Sequence, residues 1–197
     1  MTSRFPRLLA PVAAAALAAV PAAAAPFTPT QAQLGGLVTG FDGVVLTNTN
    51  EAGGTGVVLT ADPTDNGGFS RVVAQLPSFD QDLSAFASFD LEIELAAGST
   101  GIDSVSSFIQ TGPAFTFEQS AAVSLSPGVA VPVSLDFSGT TGDLTAVRQI
   151  GLQFFGPGGA AAPGQVITIR PIPEPASLAT LGVLGGAALL RRRRRGA

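Results

Sequence analysis

The chain has 197 residues, ten basic side chains that are all arginine, fourteen carboxylates, and no Cys, His, Lys, Tyr or Trp. Those absences exclude disulfides, Ser-His-Asp and Cys-His nucleophilic sites, Schiff-base chemistry, and zinc sites built on His or Cys. Between Phe27 and Arg170 three arginines face thirteen carboxylates, a net −10 that repels phosphate backbones and argues against nucleic acid as a partner.

Residues 1–25 read as a secretory signal peptide. Arg4 and Arg7 form the charged start and Leu8 to Val20 the apolar stretch; Pro21 breaks the helix before a run of small residues. Ala22-Ala23-Ala24 fits small-x-small cleavage, leaving Ala25 as the new first residue. Signal peptidase and the general secretion machinery are the partners this segment implies.

Residues 26–170 form one cargo domain whose texture is strand, turn, strand. Phe89-Asp90-Leu91-Glu92-Ile93-Glu94-Leu95, within Phe86 to Leu95, alternates apolar and acidic residues with a two-residue period. Val131, Val133, Leu135 and Phe137 alternate likewise, as do Ile150, Leu152 and Phe154, and Val166-Ile167-Thr168-Ile169 closes the set. Turn clusters separate them: Asn66-Gly67-Gly68, Ala97-Gly98-Ser99, Pro127-Gly128, Ser138-Gly139 and Thr141-Gly142. This spacing predicts an all-β fold, an antiparallel β-sandwich. A single helical turn is expected around Asp143 to Arg148 with Asp143 as its cap, and Gly156 to Gly164 is a small-residue loop.

The succession Phe86…Phe89-Asp90, Phe108-Ile109-Gln110, Val123-x-Leu125-Ser126-Pro127-Gly128, Val131 to Asp136 and Val147 to Phe154 resembles galactose-binding-like jelly rolls, which include many carbohydrate-binding modules. The resemblance covers about half the domain and implies a jelly-roll-like sandwich. It also implies sugar stacking on Trp or Tyr, both absent here, and a structural calcium bound by an Asp of the last strand. The equivalent place in this chain holds Arg170, opposite Phe41-Asp42, which argues against calcium.

Four constellations have chemical potential. Asp90, Glu92 and Glu94 put three carboxylates on one strand face, neighbours ~7 Å apart, and a glycosidase needs two carboxyls flanking a cleft. The solvent face of an exposed strand has the same pattern, and that is the expected reading. Asp136-Phe137-Ser138-Gly139 is a poor match to the Asp-Thr-Gly of aspartic proteases. Asp62-Pro63-Thr64-Asp65-Asn66-Gly67 lacks the alternation of a calcium loop and reads as a turn. Phe115 and Phe117 lie two apart, so both are expected on one side of a strand, where they could stack sugar rings. With Phe the only aromatic available, packing into the core is the preferred expectation for both.

The C-terminus, residues 171–197, is a second address. Pro171, Pro173 and Pro175 alternate with Ile172 and Glu174, an extended strut with few backbone donors. Ala176 to Leu190 is uncharged, and Ala176, Leu178, Leu181, Val183, Leu184, Leu189 and Leu190 give it an apolar surface. Fifteen residues at ~1.5 Å each span about 22 Å against a ~30 Å hydrocarbon core, so the predicted transmembrane helix is short, a temporary anchor. Arg191, Arg192, Arg193, Arg194 and Arg195 then form a cytoplasmic stop. Pro173-Glu174-Pro175, the apolar run and the terminal arginines together resemble the PEP-CTERM sorting tail of exported Gram-negative proteins. The resemblance implies an exosortase-type membrane enzyme as processing partner, one that supplies the catalytic Cys in trans. It also implies a route from an inner-membrane-anchored precursor to the cell surface or an exopolysaccharide matrix.

The reading is a sandwich flanked by a signal helix and a transmembrane helix, with no catalytic residues, no cofactor and no metal of its own. Its expected role is that of a non-enzymatic surface or matrix protein with glycan-binding or adhesive character. A carboxylate-only glycoside hydrolase and a purely structural matrix protein are the alternatives.

Overall fold

The structure, a computed structural model, describes residues 24–39, 46–61, 64–65, 70–77, 80–157 and 164–172. The predicted signal peptide up to residue 23, Phe41-Asp42, most of the predicted 62–67 turn, the centre of the predicted 156–164 loop, and the predicted sorting tail from Pro173 onward lie outside the described residues. The signal helix and transmembrane helix expected there fall outside them too. Among the described residues no helix is long and apolar enough to cross a membrane.

In chain order the elements are α1 (Gln31–Gly35), β1 (Val38–Thr39), β2 (Leu46–Asn50), β3 (Val57–Ala61), β4 (Thr64–Asp65), β5 (Ser70–Gln75) and β6 (Ser88–Leu95). There follow β7 (Ser104–Thr111), β8 (Thr116–Gln119), β9 (Val123–Ser124), β10 (Ala130–Asp136), β11 (Val147–Phe155) and β12 (Gln165–Pro171). They build an all-β antiparallel sandwich. One sheet runs β1-β5-β11-β7-β8, with β4 added on β5 and β9 on β7; the other runs β10-β6-β12-β3-β2.

Alternation decides which face of each strand is buried. Phe89, Leu91, Ile93 and Leu95 of β6 face inward beside Ile167 and Ile169 of β12 and Val57 and Leu59 of β3. Opposite them stand Val72 and Ala74 of β5, Ile150, Leu152 and Phe154 of β11, and Val105 and Ile109 of β7. A fully buried aliphatic or Phe side chain of this kind contributes about 1.5–3 kcal/mol of transfer free energy, and together they form one continuous core.

Three local features depart from simple alternation. The turn expected at Asp143 is a 3-10 turn, Leu144–Ala146, whose Thr145 amide donates to the Asp143 carboxylate at 3.0 Å. It ends at Val147 because that residue enters the sheet. Helix α1, which strand periodicity did not suggest, has a capping box: the Gln33 amide donates to Thr30 Oγ1 at 3.2 Å, and the Thr30 amide to Gln33 Oε1 at 2.8 Å. A bulge interrupts β11 between Val147, paired with Thr111, and Gln149, paired with Gln110. Strict alternation back from Ile150 would bury Arg148. The extra residue instead lets Val147 and Ile150 both face the core while Arg148 points out toward Asp80 at 3.5 Å.

Both ends of the described domain meet on one strand. Ala25 accepts a hydrogen bond from the Ala87 amide at 2.9 Å, and Phe27 forms a parallel bridge with Phe89. Strand β12 reaches the same side of β6 and ends with Pro171 opposite Leu91. The N-terminal segment occupies the next places along β6, so the two ends leave the sandwich at the same pole.

Candidate functional site

The core alternation of β11 turns Gln149, Gly151 and Gln153 to the outer face of the larger sheet. Register then fixes their neighbours. Gln149 is opposite Gln110 on β7, which is opposite Phe117 on β8; Gly151 is opposite Phe108 on β7 and Gln75 on β5. With Arg71 of β5 these side chains line a groove of about 320 Å³.

Its lining is mostly neutral. Four glutamine side chains from three strands carry both donors and acceptors. The Phe117 ring stacks on Phe108 with centroids 5.6 Å apart and planes at 25°. Phe108 is buried beneath it and Phe117 is 43% exposed, so one ring supports the other as an open platform. Gly151, opposite Phe108 on the neighbouring strand, is the floor of this stack. A Cβ there would press on the Ala74 carbonyl oxygen and come within 2.7 Å of Gln75 Cα and 3.0 Å of Phe108 Cε1.

No carboxylate lines this groove. Asp90, Glu92 and Glu94 lie partly exposed on the outer face of the other sheet, as expected of a solvated strand face, and the structure adds bonding partners that the sequence did not suggest. Strand β6 is interior to its sheet, so its outward carboxylates are flanked by β10 and β12. Arg170 of β12 donates from Nη1 to Glu94 at 2.8 Å and Glu92 at 3.2 Å, and from Nε and Nη2 to Glu51 Oε1, each at 2.7 Å. These hydrogen bonds hold Glu51 below the usual carboxylate range against a smaller upward push from burial. Asp90 accepts from Ser134 at 2.6 Å and Ser88 at 3.0 Å. All three acids of the candidate glycosidase strand are thus engaged in structural bonds, across the sandwich from the groove.

Asp136 caps the 3-10 turn Phe137–Gly139 by accepting from the Ser138 amide at 2.7 Å, with Phe137 buried. That accounts for the Asp136-Phe137-Ser138-Gly139 sequence as a turn. Among the described residues no group of three acids is arranged to hold a metal ion.

The expectation for Phe115 and Phe117 fails in two respects. Both are exposed, Phe115 at 54%, instead of packed in the core. Nor do they share a strand: β8 begins at Thr116, and Phe115 belongs to the turn of the β7–β8 hairpin with φ +52°. Only Phe117 lines the groove. The sequence reading missed Arg71, Gln75, Gln110, Gln149 and Gln153 as a set. A signal for part of it was present, because Gln149 and Gln153 occupy the non-core phase of a strand whose core phase was read correctly.

The two-sheet antiparallel sandwich thus carries an open, amide-rich and aromatic groove across one outer face. Comparison with known proteins gives the family and the fold. Residues 38–166 match the family described as mannanase, galactose-binding domain-like, and the chain belongs to that family. A solved structure concerned with the promiscuous specificity of carbohydrate-binding modules from the β-sandwich superfamily shares the fold, with a TM-score of 0.54 and 15% identity. The match covers 77% of this chain and 63% of that one. A family 11 carbohydrate-binding module from Clostridium thermocellum, in complex with a β-1,3-1,4-mixed-linked tetrasaccharide, aligns at 14% identity over 69% of this chain and 85% of its own, with a TM-score of 0.44. An exo-β-agarase aligns at 11% identity over 74% of this chain but a quarter of its own length, with a TM-score of 0.48. No curated protein matches the chain.

Proposed function

We propose that the chain is a non-enzymatic polysaccharide-binding protein and that the groove on the larger sheet binds a neutral glycan. The observation that carries this reading is the Phe117–Phe108 stack set among four glutamines, an apolar platform ringed by uncharged hydrogen-bonding groups. Membership of a mannanase-associated domain family and the fold shared with carbohydrate-binding modules support it. Neutrality of the ligand follows from charge: a domain of net −10 repels an acidic polysaccharide over a Debye length of about 8 Å, and the groove lining contains only one arginine to offset this. The engagement of Glu51, Glu92 and Glu94 by Arg170 speaks against a carboxylate-only hydrolase.

The cargo is exported, held briefly in the inner membrane, and released to the surface or matrix through its PEP-CTERM-like tail by an exosortase-type enzyme. Two observations favour this arrangement. Segments that read as export and sorting signals bracket the domain in the sequence, and the two ends of the described sandwich emerge at one pole, beside the start of β6. A domain hung from that pole leaves its groove open to the polymer outside.

The test is retention on a polysaccharide. β-Mannan should retain the chain, with little change between 50 and 500 mM salt, whereas alginate, a polyuronate, should not. Retention on alginate that collapses with salt, and none on mannan, would overturn the neutral-glycan reading.

A further inference from the structure

We propose that Phe115, at the tip of the β7–β8 hairpin, is a second sugar platform, so that the site binds the interior of a chain longer than the groove itself. This rests on the carbohydrate-binding reading of the groove.

The argument starts from the backbone. Between Thr111 and Thr116, which face each other at the end of the ladder, the chain turns through Gly112-Pro113-Ala114-Phe115. Two of these residues have left-handed backbones, Gly112 at φ +64° and Phe115 at φ +52°. At Gly112 that conformation is free of steric cost. At Phe115 the Cβ crowds the following carbonyl oxygen, and turns of this kind ordinarily place Gly, Asn or Asp there. Phe115 is the one non-glycine residue with positive φ among those described, and it is a large apolar one. The turn enforces it through the Phe115 amide, which donates to the Gly112 carbonyl at 3.3 Å.

Core burial does not compensate for this strain, because the side chain is 54% exposed. Backbone strain that persists at an exposed aromatic residue points to a role in binding. Position supplies that role. Phe115 precedes Phe117 by two residues, where the turn joins β8, and both rings are exposed. Phe117 is the open platform at the groove's edge, and Phe115 lies outside the groove lining on the hairpin tip just beyond β8. A glycan lying across the groove and over Phe117 can therefore reach Phe115 with its next unit. The other large exposed apolar side chains among the described residues, Val38 and Val129, are aliphatic and belong to other parts of the sandwich.

The test uses the purified full-length chain and two probes, mannobiose and mannohexaose, in calorimetric titration. Wild type should bind the hexaose more tightly than the biose. Phe117→Ala should weaken both, whereas Phe115→Ala should weaken the hexaose about tenfold and leave the biose within twofold. Phe115→Gly should reproduce the tenfold loss and at the same time raise the melting temperature, because it relieves the left-handed strain; a purely structural Phe115 would not separate the two readouts. Unchanged hexaose affinity in Phe115→Ala would overturn the proposal and leave the groove standing. An equal loss for both probes would overturn it too, since that would mean the turn merely shapes the groove. If wild type binds neither probe, the groove reading falls and this inference with it.

Discussion

Phe117 lies on Phe108 with ring centroids 5.6 Å apart, and the lower ring rests over Gly151 of the neighbouring strand. The stack is thus layered: a bare backbone, a buried ring, and an exposed ring. Each layer has a different relation to stability and to binding, and substitutions can tell them apart.

Phe117→Ala should lower affinity for β-mannan about tenfold and cost no more than about 1 kcal/mol of stability, because the ring is half in solvent already. Phe108→Ala removes a side chain only 2% exposed and should cost about 3–4 kcal/mol. Urea denaturation alongside polysaccharide binding checks both. Equal destabilisation by the two substitutions would mean that Phe117 is a packing residue, not a platform.

Gly151→Ala tests the floor. The added Cβ meets the Ala74 carbonyl oxygen and the Gln75 Cα, both backbone atoms that move only if β5 and β11 separate. A loss of about 1–3 kcal/mol is expected, with binding reduced because Phe108 and Phe117 must shift with it. Wild-type stability and affinity in Gly151→Ala would show that the ring does not depend on close approach to the strand.

Arg170→Met should show its effect through pH. The folded pKa of Glu51 is depressed, chiefly by hydrogen bonds from Arg170, so its stabilising contribution is present above the unfolded value near 4.5 and is lost as pH falls through the folded value. At pH 7 the variant leaves Glu51, Glu92 and Glu94 without their shared cation and should lose about 1–3 kcal/mol, less than for a fully buried cluster because these groups are partly exposed. The gap between variant and wild type should narrow as pH falls below about 4.5 and through the depressed folded value of Glu51. Urea titrations at pH 7 and pH 3.5 measure it, and a gap independent of pH would assign the loss to packing of the arginine stem instead.

Alanine at both Glu174 and Pro175 should leave export and membrane insertion intact, since the apolar run and the arginines are untouched, yet block removal of the tail. Serine at Arg191 to Arg195 should instead release an uncut chain, because the proposed short anchor would have lost its stop. The mass of the protein recovered from a host that contains the processing enzyme distinguishes the two. Trimming of the Glu174/Pro175 variant like wild type would reduce the motif to a spacer.

Much of the sandwich was legible in the sequence because alternation is a local property. Phe89 to Leu95, Ile150 to Phe154 and Val166 to Ile169 each show which side chains face the core without reference to any other strand. The capping box at Thr30 and Gln33 was legible by the same rule of short range, although strand periodicity drew attention elsewhere. The absent side chains also set firm limits on the chemistry, whatever the fold.

The candidate site belongs to the tertiary structure. Gln75, Gln110, Gln149 and Gln153 come from three strands whose order in the sheet, β5-β11-β7, is not their order in the chain. Only cross-strand register brings them around Phe117. The bulge at Arg148 sets the parity of β11, and with it which side chains reach the groove, through pairing with Thr111 and Gln110 nearly forty residues earlier in the chain. Asp90, Glu92 and Glu94 likewise looked like the face of an exposed strand, and alternation gave no sign that β12 would place Arg170 over Glu92 and Glu94 or that Ser134 of β10 would bond Asp90. Periodicity reports which face of a strand is apolar; pairing decides what its polar face will meet. That second fact is set by long-range contacts, which no local pattern encodes.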